Sequence, residues 1–147
     1  MEEPRPGQRR LPGISVALFA RMRAFVPVGR VLFALIFVAS IVGHFSSAEI
    51  DAAAAHGVPL ATIAVPLAGI IALLGGLSIM LGYRARFGAL MLLIFLVPVT
   101  LFMHKFWGLA DPQMAMMQKI NFMKNTSLAG ACLLIMHFGS GPYSLDS

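Results

Sequence analysis

From Val58 to Met103 the chain is almost unbroken hydrocarbon, interrupted only by Tyr83, Arg84, Ala85 and Arg86. A helix rises about 1.5 Å per residue, so about 20 apolar residues cross a hydrocarbon core of ~30 Å. Leu60 to Gly82 and Phe87 to about His104 each come close to that length, and neither contains a formal charge. The pattern predicts two membrane-crossing helices joined by a tight basic turn.

Composition agrees. Hydrophobic residues make up 59% of the 147 and charged residues 12%, against roughly 25% charged in a soluble domain. The length holds one membrane domain of about four helices and leaves no room for a separate catalytic domain. The net charge of +5 does not indicate nucleic acid, because Arg5, Arg9, Arg10, Arg21, Arg23 and Arg30 all lie at or before the start of the first span. Basic residues in that position are a topology signal and a contact for anionic lipid. The single cysteine, Cys132, rules out an internal disulfide or a CxxC exchange cycle.

Residues 1–13, with their prolines, glycines and charges, read as a flexible cytoplasmic tail, and residues 14–147 as the membrane domain. Ile14 to Phe25 can form a short interfacial helix, with Arg21 and Arg23 toward headgroups. The apolar run Pro27 to Phe45 is too long for a signal-peptide core and reads as an uncleaved first span. Residues 46–59 carry Glu49 and Asp51 but no Lys or Arg, so they are expected outside and the Arg84/Arg86 turn inside. In the second span, Ala68, Ala72 and Gly76 recur every four residues as a helix-packing seam.

Pro98 predicts a kink ahead of His104. Asp111-Pro112 is a helix start, a capping carboxylate followed by Pro at the first helical position. Thr126 to Phe138 is too short to cross alone, so a fourth span must begin near Lys119. Lys124 then lies about 7 Å deeper than Lys119. Asn121, Lys124, Asn125 and Leu128 share one stripe by their spacing. Polar groups at such depth usually face a bundle interior or a water-filled cavity. The expected fold is therefore all-α, a four-transmembrane-helix bundle with a short N-terminal interfacial helix and both termini cytoplasmic.

Gly29-Arg30, Gly43-His44, Gly57-Val58-Pro59, Gly75-Gly76, Gly82 before the arginine turn, and His104 with Phe106-Trp107 follow in an order similar to DoxX-type membrane proteins. Phe122-Met123-Lys124-Asn125 and the closing Gly141-Pro142-Tyr143-Ser144-Leu145-Asp146 extend the resemblance, which runs from about Val28 to Asp146. It implies a four-helix bundle in the bacterial cytoplasmic membrane and an association with oxidoreductases, some relatives being thiosulfate:quinone oxidoreductase subunits. Where relatives often carry a Glu before the paired glycines, this chain has Ala72.

His44, His104, Asn121, Lys124 and Asn125 are the candidate ligand-binding residues, gathered at the outer end, with a quinone or a small sulfur compound as the ligand. Imidazole donates and accepts protons near neutral pH. No catalytic residue is identified, and no histidine spacing suggests a metal site. The competing reading is a non-catalytic scaffold. The expected partners are the lipid bilayer, a redox protein and a second copy of the chain.

Overall fold

A computed structural model describes residues 21–146. The tail over 1–13 and most of the expected interfacial helix over 14–25 lie outside the described residues. Five α-helices follow: α1 (Phe25–Ala39), α2 (Ser47–Ala55), α3 (Ala61–Leu81), α4 (Ala85–Met103) and α5 (Pro112–Phe138). A 3₁₀ stretch, Ser40–Phe45, prolongs α1. Two side chains tighten it: Ser40 Oγ donates to the Phe37 carbonyl, and His44 Nδ1 bonds the Ser40 carbonyl.

Three segments are long and apolar enough to cross a membrane: Phe25–Phe45, Ala61–Leu81 and Ala85–Met103. Leu32, Ile63, Val97 and Leu134 are exposed on the outside of the helices, an arrangement suited to lipid rather than water. The fourth long helix, α5, has 27 residues, but Lys119, Lys124 and its amides leave it short of the same apolar requirement. It starts where expected, with Asp111 accepting the Gln113 N–H at 2.9 Å. Residues 46–59, expected as a loop, contain α2. Ser46 caps it by accepting from the Glu49 N–H, three residues on, the spacing of a capping box.

The long helices pack in chain order, α1 on α3, α3 on α4 and α4 on α5. Close approach depends on the paired glycines, which face different neighbours. A Cβ on Gly75 would fall 2.9 Å from the Gly88 carbonyl of α4, and one on Gly76 would fall 3.2 Å from Phe37 Cβ of α1. Small residues at crossings are how helices gain contact inside lipid. Ala34, Phe37, Ala72, Ile79, Ala89, Leu92, Leu96 and Cys132 fill the core around them.

The C-terminal segment closes one end of this row. It crosses the α3–α4 turn, where the Leu145 and Asp146 N–H groups donate to the carbonyls of Leu81 and Gly82. These carbonyls sit at a helix end and have no partner within the helix. Arg30, buried near the start of α1, reaches over Gly82. Its guanidinium donates to the carbonyls of Ser140, at 2.6 Å, and Tyr143.

Candidate functional site

At the opposite end, the 3₁₀ stretch, α2, α3 and α4 enclose a cavity of about 420 Å³. Its walls are hydrocarbon, from side chains such as Ala64, Phe95, Pro98 and Phe102, and the two ionisable side chains on them are His44 and Glu49. Val58 and Met103 line it at one end and Ile71 and Ile94 at the other; Ile94 lies nine residues along α4 from Met103, roughly 14 Å further in at about 1.5 Å per residue. It is an elongated cleft whose polar groups lie toward the inner end, where His44 meets Gly69 and Phe95. Pro98 has no N–H to offer the Ile94 carbonyl one turn back.

His44 is 8% exposed. Its Cβ and Cγ lie against Gly69, where an added Cβ would come within 2.5 Å, and its ring is tilted against Phe95 at 5.7 Å. A carbonyl only accepts, so the bond to Ser40 at 2.8 Å places a proton on Nδ1. In the neutral ring Nε2 is then an acceptor. Glu49 reaches back from the first turn of α2 until its Oε2 lies 2.9 Å from where a Cβ on Gly43 would stand. Glu49 is exposed, and its carboxylate lies beside Gly43, the residue before His44.

The other sequence candidates are placed elsewhere. His104 ends α4 and bonds Gln118 of α5 through Nδ1 at 2.9 Å. Lys124 is exposed and donates to Asn121 Oδ1 at 3.3 Å, whereas Asn125 is buried. None of these four lines the cavity that His44 lines. Phe106, Trp107 and Phe122 stack edge to face, 5.3 to 6.0 Å apart, and tie the α4–α5 connection to α5. Among the described residues, no three His, Cys, Asp or Glu side chains come together as a metal site. Glu49 is the site residue that sequence reading missed, although Ser46-Ser47-Ala48-Glu49 carries the capping-box signal.

The family model described as SURF4 family matches residues 15–147. The chain belongs to the SURF4 family. No curated protein and no solved structure matches it. The assignment overturns the expected DoxX membership, and with it a redox or quinone-binding function has no support. The structure shows why the motifs misled. Gly75 and Gly76 serve helix crossings, Gly82 ends α3 at φ 65, and the closing Ser-Leu-Asp caps a helix turn. These are packing and capping devices that membrane bundles of more than one family can need. In this SURF4-family chain they identify architecture, not chemistry.

Proposed function

We propose that this SURF4-family protein binds a lipid-like molecule, housing a hydrocarbon chain in the cleft between α2, α3 and α4. The observation that carries the reading is the cavity itself: about 420 Å³, elongated, walled by hydrocarbon and furnished with polar groups only near one end. Ligand sites are commonly about 300–1,000 Å³, mostly apolar, with a few placed polar groups. The arginine-rich end, with Arg84 and Arg86, faces the cytoplasm by the positive-inside bias, and α5 lies in the bilayer beside α4. The cavity then opens toward the opposite membrane face.

Native mass spectrometry of the purified full chain tests the reading. A bound lipid-like molecule should be retained by the wild type and fall to a tenth or less of that occupancy in Ala64→Phe, which fills the cleft from its lining. Thermal unfolding checks that the variant folds. Equal occupancy in the two proteins, or an empty wild type, would overturn the proposal.

A further inference from the structure

We infer that the occupant is a bilayer phospholipid whose head carries a primary ammonium group, held between Glu49 and His44. The inference rests on the lipid-binding reading above and specifies its ligand. Glu49 is a carboxylate, which accepts hydrogen bonds and carries negative charge. The other polar group is the His44 ring, whose Nδ1 is committed to the Ser40 carbonyl. Its Nε2 has no partner among the described residues, although the side chain is more than nine-tenths buried.

Two acceptors lining one apolar cleft suit a head that donates more than one N–H. A primary ammonium has three. A carboxylate or bare phosphate head would instead meet Glu49 with like charge and bring no N–H to the imidazole acceptor. A quaternary ammonium would satisfy the charge but has no N–H to donate. The acyl chain runs from there past Pro98 and Phe102 toward Val58 and Met103.

Three single-chain probes of equal length separate these possibilities: lysophosphatidylethanolamine, lysophosphatidylcholine and lysophosphatidylglycerol. They are titrated against the full chain in detergent and followed by native mass spectrometry. The ethanolamine probe should bind at least tenfold more tightly than the glycerol probe, with the choline probe between. Glu49→Gln keeps the side-chain shape and a capping-box residue. It should shrink the ethanolamine-over-glycerol preference at least fivefold.

Saturable binding that Ala64→Phe abolishes, but with no ethanolamine preference or one that Glu49→Gln leaves intact, would overturn the head assignment and leave the cavity reading standing. Absence of saturable binding by all three probes, or binding that Ala64→Phe does not weaken, would remove both.

Discussion

Asp146 Oδ2 accepts the backbone N–H of Arg84 at 2.7 Å, and Arg84 stands in the left-handed region at φ 48 as the residue that opens α4. A carboxylate at this position meets the positive end of the α4 dipole and supports a turn that a non-glycine residue adopts reluctantly. The same oxygen accepts from Ser140 Oγ at 2.8 Å. Asp146→Ala should lower stability by about 1–2 kcal/mol, as loss of a capping side chain does. Asp146→Asn retains an acceptor and should lose less. Unfolding in mixed detergent, compared across the three proteins, measures both.

Arg30 holds the same segment from the other side. Replacing it with Met would leave the Ser140 and Tyr143 carbonyls without their donor, at about 1–3 kcal/mol for each group that stays buried and unpaired. Arg30→Lys keeps the charge but cannot present two donors in the planar fork of a guanidinium. Both variants should show faster proteolysis between residues 139 and 146 than the wild type. Unchanged cleavage rates would mean that the tail is held without Arg30.

The glycines divide into two groups that respond oppositely to alanine. At Gly75 a new Cβ meets the Gly88 backbone, so Gly75→Ala must push α3 and α4 apart, by roughly 1–3 kcal/mol as overpacking does. At Gly29, inside α1, a Cβ would meet nothing within 4 Å. Gly29→Ala should therefore stabilise the protein by about 0.5–1 kcal/mol, the difference between the two residues in a helix interior. Thermal shifts of the two variants should have opposite signs.

Membrane orientation is open to direct labelling. Ser47 and Tyr83 are both exposed and stand at opposite ends of the helix row. In a Cys132→Ser background, a cysteine at position 47 should react with an impermeant thiol reagent applied to intact cells, and one at position 83 only after permeabilisation. Reversed labelling would invert the proposed orientation. Ala85 would be a poor probe because it is 1% exposed.

Much of the helix layout was legible in the sequence. Hydropathy placed the spans at Leu60–Gly82 and Phe87–His104, and the helices run Ala61–Leu81 and Ala85–Met103. Asp111-Pro112 marked the start of α5 because capping is a local interaction. The cavity was not legible, since its lining comes from the 3₁₀ stretch, α2, α3 and α4, brought together only by packing. Periodicity put Asn121, Lys124 and Asn125 on one stripe of α5 but could not say which edge would meet α4. Asn125 turned inward and Lys124 outward. Family membership was misread for a related reason: small residues at helix crossings answer a general demand of packing in lipid.

The tail, Arg30 and the α3–α4 turn make the arginine end of the molecule a staple, while the cleft lies at the far end. At that far end Met103 of α4 packs on Ala53 of α2 and on Ala61 and Val65 of α3, so the two ends are held by different forces, hydrogen bonds from the tail at the staple and apolar contact beside the cleft.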